Sequence, residues 1–163
     1  MSVKNQLSKL LQEESAKAFL EALLGRSIKG IKRSSQGEDM SEVFASCGVC
    51  PDLYIEDLSG SRYVIMGLQK DEEKLELMSR VLQSAIDAEF VKCGGHIEDL
   101  PESYIIFVCD YDYYHAGLAM YQIQNSFSGV IVDDGCHTIF LNSQYNNPNA
   151  APQVIDFLDR IPN

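Results

Sequence analysis

A β-hairpin is predicted by residues 52–69, which read DLYIEDLSGSRYVIMGLQ. Apolar and polar residues alternate from Asp52 to Asp57. Arg62 to Gln69 is predicted as a second strand, with Val64, Met66 and Leu68 on one face. Between them, residues 58–61 (LSGS) have the turn chemistry that joins antiparallel strands. This stretch therefore predicts two neighbouring strands of one sheet. The positions of the other helices and strands are inferred relative to this hairpin.

The segments that follow the hairpin predict a helix and then a buried strand. Residues 71–92 have an amphipathic helical pattern with acids in the first turns, where they interact favourably with the helix dipole. Residues 104–109 (YIIFVC) form a continuous apolar run, which is typical of a strand buried on both faces. Because a strand–helix–strand crossover joins parallel strands, this order predicts an α/β fold with a mixed sheet flanked by helices.

Five more segments complete the prediction for residues 1–163, which have the size of a single domain. Helical spacing of leucines predicts a helix over residues 5–25, with Gly25 at its end. The remaining segments are a short strand at 27–33, a loop at 34–50, a strand at 137–142 and a terminal helix at 154–161.

Composition restricts the functions that are open to the chain. The formal net charge is -11, with 24 acidic against 13 basic residues, so bulk electrostatics repel DNA. No apolar run is long enough to predict a membrane helix, and residues 1–11 lack the apolar core of a signal peptide. The expected location is therefore the cytoplasm, without a membrane partner. The odd number of cysteines, five, is typical of reduced thiols.

Several short motifs occur in one order along the chain: FLEALLG at 19–25, RVLQSAID at 80–87, LPESYIIFVCD at 100–110, and Asp134-Gly135 followed by IFLN at 139–142. Together they resemble the PD-(D/E)XK nuclease family transposases, relatives of the Rpn recombination-promoting nucleases. The resemblance covers about residues 17–161. It implies a restriction-endonuclease-like sheet, in which an antiparallel hairpin is followed by a parallel crossover strand.

The resemblance also implies where a catalytic site would lie. In this family an Asp begins the first hairpin strand, and Glu-x-Lys or Glu-x-Gln lies on the second. Asp52 takes the first position and Gln69 the third, while Gly67 occupies the position of the Glu. A register one residue shorter would place Met66 there, and neither residue has a side chain that binds Mg²⁺. The family's carboxylates hold Mg²⁺, which prefers oxygen ligands and activates a water for attack on phosphate. Glycine has no side-chain oxygen, so the central metal ligand is missing.

Two functions remain open. The first is an inactive or weakened nuclease-like domain that binds or regulates a nuclease or other nucleic-acid protein, an active relative being one candidate partner. The alternative is an active Mg²⁺-dependent DNA endonuclease of recombination or transposition, with its acid relocated. Glu56 shares a strand face with Asp52 and could then help to bind the metal. The further candidates follow the hairpin: Glu72, Glu73 and Glu76.

A zinc site is a separate possibility that the predicted topology argues against. Cys47-Gly-Val-Cys50 and Cys93-Gly-Gly-His96 have spacings that suit tetrahedral Zn²⁺. However, Cys50 precedes the first hairpin strand and Cys93 follows the crossover helix, so the two pairs are expected at opposite ends of the sheet. Zinc is therefore not the expected cofactor.

Overall fold

The computed structural model describes residues 3–10, 12–32, 38–69 and 74–161. The helices in these segments are α1 (Val3–Leu10), α2 (Glu13–Leu24), α3 (Glu38–Ser46), α4 (Leu75–Lys92) and α5 (Pro152–Leu158), with a 3₁₀ turn at Ile97–Asp99. The strands are β1 (Ile31–Lys32), β2 (Leu53–Asp57), β3 (Arg62–Leu68), β4 (Ser103–Cys109), β5 (Met120–Ile123), β6 (Asn125–Phe127), β7 (Val130–Val132) and β8 (Cys136–Asn142).

A mixed six-stranded sheet has the strand order β1-β2-β3-β4-β8-β5. Strands β2 and β3 form the predicted antiparallel hairpin, with Leu53 opposite Ile65. The predicted crossover is also confirmed, since α4 connects β3 to β4 and these strands are parallel, with Arg62 opposite Ser103. Strand β8 adds parallel to β4, and β5 closes that side as an antiparallel edge strand.

Helices cover both faces of this sheet, so the fold has two apolar cores. One core lies between the sheet and helices α1, α2 and α5. The other lies between the sheet and helices α3 and α4. All seven residues of β4 are buried, because its side chains alternate between the two cores. This explains why residues 104–109 form a continuous apolar run and not an alternating one.

The N-terminal part of the chain differs from the prediction. The helix predicted for residues 5–25 is two helices, α1 and α2, and Gln12 before α2 has extended backbone angles. The strand predicted for 27–33 is reduced to Ile31–Lys32, while Arg33 lies outside the described residues. None of the helices in the described segments is long and apolar enough to cross a membrane.

The loop predicted for residues 34–50 is wrong over Glu38–Ser46, which form α3. Met40 and Phe44 lie one turn apart and are buried in the core beside α4. The helix ends where Gly48 adopts a left-handed conformation and Val49 donates its backbone N–H to the carbonyl of Phe44. This segment is mostly polar in composition, and it is helical because one short apolar face packs in the core beside α4.

A second hairpin, β6–β7, has no counterpart in the prediction. It pairs Phe127 with Val130 and forms a small sheet separate from the main one. Ser128 and Gly129 both have positive φ angles, as the two central residues of a type I′ turn require. The turn is thus set by local sequence, although the strands on either side have only three residues each.

Candidate functional site

The structure places Asp52 immediately before β2, beside the middle of the hairpin. Its backbone N–H donates to the carbonyl of Ile65 over 3.1 Å. Its Oδ2 atom accepts the backbone N–H of Gly67 over 2.7 Å. The half-buried carboxylate lines a small cavity of about 230 Å³ beneath α3, next to Phe44 and Tyr54. The carboxylate of Asp52 is therefore fixed against the backbone of β3 at residue 67.

Helix α1 fills the space that a side chain at position 67 would need. A Cβ atom built on Gly67 would stand 2.9 Å from both Leu7 Cδ1 and Val3 Cγ1, and 3.3 Å from the backbone nitrogen of Lys4. Contacts below 3.0 Å essentially never occur for a real Cβ. With α1 in this position, any side chain at residue 67 requires Val3 and Leu7 to move, and a residue as large as Glu requires a larger displacement of α1.

The two positions also face different sides of the sheet. Residue 67 alternates with Tyr63 and Ile65, whose side chains lie in the core under α1, α2 and α5. The cavity beside Asp52 lies on the other face, where Tyr54 packs with α3 and α4. The carboxylate of Asp52 is therefore held by a backbone amide of β3 and has no acidic partner at residue 67.

The other predicted residues on the hairpin are spread along it. Gln69 is exposed and directly follows β3. Glu56 lies near the opposite end of β2 from Asp52, and four residues of strand span about 13 Å. The Glu56 carboxylate is 3.7 Å from the ammonium group of Lys32 on β1. The structure does not bring Glu56 and Asp52 together.

Glu76 lies in the first turn of α4 and is held over another part of the sheet. It accepts hydrogen bonds from the hydroxyl groups of Tyr113 and Tyr114, both over 2.8 Å. The ring of Tyr113 stacks on Phe140 of β8, with centroids 5.7 Å apart. Since β8 and β2 are three strand spacings apart, or about 14 Å, Glu76 is remote from Asp52. Glu72 and Glu73 lie outside the described residues.

Hydrogen bonds around Glu76 lower the pKa of its carboxyl group. Partial burial alone would raise the pKa of Glu76, but hydrogen bonds from its own backbone, Tyr114 and Tyr113 outweigh burial and lower that pKa below its ordinary value. Glu76, Tyr113 and Tyr114 form a cluster in which both hydroxyl groups donate to the one carboxylate. The cluster thus fastens the start of α4 to the segment that follows β4.

Among the residues that the structure describes, no three His, Cys, Asp or Glu side chains are grouped so that they could hold a metal ion. Cys50 lies beside Asp52 near the start of β2, whereas Cys93 follows the last residue of α4 and contacts Glu89 over 3.4 Å. Helix α4 has 18 residues and is about 27 Å long, and it begins at the end of the sheet where β2 starts.

We expect the thiols to differ strongly in reactivity. Cys47, Cys50 and Cys93 are exposed, whereas Cys109 is buried in β4, and burial raises the pKa of its thiol to about 12. Ellman's reagent at pH 8 should modify the three exposed thiols first, and Cys109 only after unfolding in denaturant. Peptide mapping by mass spectrometry identifies each site. Modification of Cys109 in the folded protein as fast as Cys47 would contradict its burial.

A buried carboxylate that the sequence reasoning missed lies at the hairpin turn. Asp57 accepts hydrogen bonds from the backbone N–H groups of Ser59 and Ser61, from the Ser59 hydroxyl, and from Tyr63 over 2.8 Å. The spacing Asp-x-Ser-x-Ser is the signal that could have revealed it, because Asp side chains commonly bond backbone N–H groups two residues on. Its role is to hold the turn between β2 and β3.

The described residues therefore present one ordered carboxylate, Asp52, at the predicted site, and no second carboxylate beside it. The expected third residue, Gln69, lies at the end of β3 with its side chain in solvent. Comparison of the chain with protein-family models, with curated proteins and with solved structures finds no match in any of the three.

Proposed function

We propose that this chain is a PD-(D/E)XK-like domain that lacks its central catalytic acid and acts by binding, as a partner or regulator of a nuclease or another nucleic-acid-binding protein. The observation that carries the proposal is that β3 offers Asp52 no second carboxylate. The carboxylate of Asp52 accepts the backbone N–H of Gly67, and Met66, which lies on the same face of the sheet as the Asp52 cavity, is an apolar core residue. A side chain at residue 67 would lie on the other face, where Val3 and Leu7 of α1 pack.

The order of elements supports the restriction-endonuclease-like part of the proposal. That fold requires an antiparallel hairpin, a crossover helix and a parallel strand, and β2, β3, α4 and β4 occur in this order and pairing. Asp52 stands at the start of the first hairpin strand, where the family has its first acid. The site thus keeps the position of one metal ligand without the pair that Mg²⁺ chemistry would use.

Charge favours a protein partner over DNA. A net charge of -11 opposes association with a phosphate backbone, whose binding depends on neutralisation by Lys and Arg. The same charge favours association with a basic groove, because complementary potentials accelerate encounter and select partners. A nuclease or other nucleic-acid-binding protein presents such a groove, and an active relative of this domain is the first partner to test.

Plasmid cleavage in Mg²⁺ or Mn²⁺ tests the proposal. We expect the chain to cleave no faster than a buffer control, because the metal would lack its second carboxylate. Asp52→Ala should then leave the result unchanged, as should Glu98→Ala, a matched change of an exposed acid on the 3₁₀ turn. Cleavage that is lost with Asp52→Ala but kept with Glu98→Ala would overturn the proposal and establish an active endonuclease.

In that case Gln substitutions at Glu72, Glu73 and Glu76, made singly, would locate the relocated acid. The binding role has its own readout in the same assay. An active PD-(D/E)XK nuclease that carries all three catalytic residues is titrated with the chain, and its cleavage rate should change in proportion to the complex formed. The change should weaken as salt is raised, since screening reduces attraction between charged surfaces.

A further inference from the structure

The β6–β7 hairpin, residues 125–132, is an arm with an unpacked apolar face. Its register places Phe127, Val130 and Val132 on one face, together with Asn125, and Ile131 on the other. Phe127 is 75% exposed and Val130 is 66% exposed. A two-stranded hairpin is marginally stable in water by itself, and a contiguous exposed apolar face indicates an interaction surface. The exposed apolar face of the arm therefore predicts a complementary apolar groove that binds it.

The same chain presents such a groove on another surface, between α3 and α4. It has a volume of about 530 Å³, and its apolar lining is formed by Val43, Leu77, Val81, Ala85 and Ala88. Leu77 is 50% exposed, although it lies on the longest helix of the described structure. Cavities of roughly 300–1,000 Å³ hold drug-sized ligands. The groove therefore has room for Phe127 and the neighbouring valine side chains of one arm.

Charge complements shape between these two surfaces. The groove carries Arg80, Lys92 and Glu89, so it has a net positive charge in a chain whose total is -11. The arm has no charged residue over positions 125–132, but Asp133 and Asp134 follow directly at its base and are exposed. With the apolar face of the arm in the groove, these acids can face the basic rim, where Lys92 is exposed next to Glu89.

We propose that the arm of one copy of this chain binds the α3–α4 groove of a second copy, and that the reverse contact forms at the same time. Two reciprocal contacts give a closed, twofold-symmetric dimer in which each copy supplies one arm and one groove. The inference is independent of the proposed function, since it concerns neither Asp52 nor the space beside Gly67. Its occupant is a second copy because both complementary surfaces occur on one chain and are exposed among the residues that the structure describes.

Molar mass in solution tests the dimer, by light scattering or sedimentation at physiological salt, where the net charge of each copy is screened. The wild-type chain should be a dimer at micromolar concentration. Phe127→Asp on the arm and Val81→Asp in the groove should each weaken dimerisation by at least 30-fold, as is typical when an interface hot spot worth ~2 kcal/mol is lost. Ile131→Asp, on the opposite face of the same arm, is the matched control and should remain dimeric.

Mixing the variants separates this arrangement from others. Phe127→Asp retains its groove and Val81→Asp retains its arm, so an equimolar mixture should recover a heterodimer held by one intact contact. Far-UV circular dichroism and thermal melting confirm that each exposed substitution leaves the fold intact. A monomeric wild-type chain at 100 μM or so would overturn the proposal, given the micromolar affinities of specific interfaces. A dimer that survives Val81→Asp would overturn it too, because the arms would then pair elsewhere.

Discussion

Substitution of Gly67 by alanine should destabilise the protein by about 1–3 kcal/mol, because overpacking a tight site forces its neighbours to move. The added Cβ would stand 2.9 Å from atoms of Leu7 and Val3, both of which are buried. Gly67→Glu should have a larger effect, since the carboxylate must displace α1 to reach water. In that variant we expect the N-terminal helix to detach from β3, with increased hydrogen exchange in α1 and along the neighbouring strand.

A double-mutant cycle with Leu7 isolates this contact. Leu7→Ala alone should cost roughly 2–5 kcal/mol, as large-to-small changes in cores do. In Leu7→Ala/Gly67→Ala the new methyl group enters the vacated space, so the double variant should be more stable than the sum of the two losses by about 1 kcal/mol or more. The free energy of unfolding in urea, with an unchanged dependence on denaturant, measures each step.

A matched control uses Leu20, which is fully buried in the same core but is not among the nearest neighbours of Gly67. Leu20→Ala and Gly67→Ala should be additive within about 0.5 kcal/mol, as distant sites usually are. If Leu7→Ala were equally additive with Gly67→Ala, α1 would not be packed on position 67.

The second large effect is expected at Asp57, which is 2% exposed and accepts four hydrogen bonds from Ser59, Ser61 and Tyr63. Asp57→Ala removes a charged acceptor and leaves buried donors without partners, so it should cost about 3 kcal/mol or more. Tyr63→Phe removes only one of these bonds and should cost about 1–2 kcal/mol. Equal stability of Asp57→Ala and the wild-type chain in urea would show that the turn does not depend on this network.

The Asp57 network also predicts a dependence of stability on pH. Burial raises the pKa of Asp57, but the hydrogen bonds from Ser59, Tyr63 and Ser61 outweigh burial and hold that pKa below its ordinary value. A carboxyl group with a lower pKa in the folded state stabilises the protein above its unfolded pKa, about 3.9. This contribution is lost as the pH falls through the lower, folded pKa.

Urea unfolding at a series of pH values from about 5 downwards measures this loss, because the ordinary pKa of Asp lies within that interval. The wild-type chain should lose stability with acid more steeply than Asp57→Asn, in which residue 57 has no proton to gain. Parallel curves for the two proteins would assign the acid sensitivity to other carboxylates.

The central sheet could be predicted because its signals are local. Alternation over residues 52–57 and the apolar segment 62–69, with Gly60 between them, predict the hairpin. The continuous apolar run at 104–109 predicts a strand covered on both faces. The long amphipathic helix between them then leaves only a parallel crossover. These elements were found because each pattern depends on residues that are close in sequence.

Elements that depend on distant packing could not be found in this way. Helix α3 is stabilised by the contact of Phe44 with Tyr54, whose ring centroids are 5.7 Å apart, and its own composition is mostly polar. The break between α1 and α2 falls where the predicted helix has no large apolar residue, between Leu11 and Phe19, and α1 packs on β3 beside Gly67.

The candidate site shows the same limit. The sequence predicts Asp52 and Gly67 on neighbouring strands of the hairpin, and in the structure Asp52 accepts the backbone N–H of Gly67. The sequence gives no sign that Val3 and Leu7 fill the space there, because that contact joins residues about 60 positions apart. Glu56 and Glu76 are likewise kept apart from Asp52 by tertiary contacts. Glu56 pairs with Lys32 of β1, and Glu76 accepts a hydrogen bond from Tyr113.

The contact between α2 and α5 affects how the chain can fold while it is being synthesised. Phe19 and Phe157 lie with ring centroids 4.5 Å apart, so two parts of the chain that are far apart in sequence share one core. A ribosome releases α2 long before α5, and until then the apolar face of α2 lacks its final partner. The core under α3 and α4 can pack earlier, because it does not include α5. The core that contains Phe19 can be completed only after α5 has been synthesised. During that interval the apolar face of α2 is available for chaperones to bind.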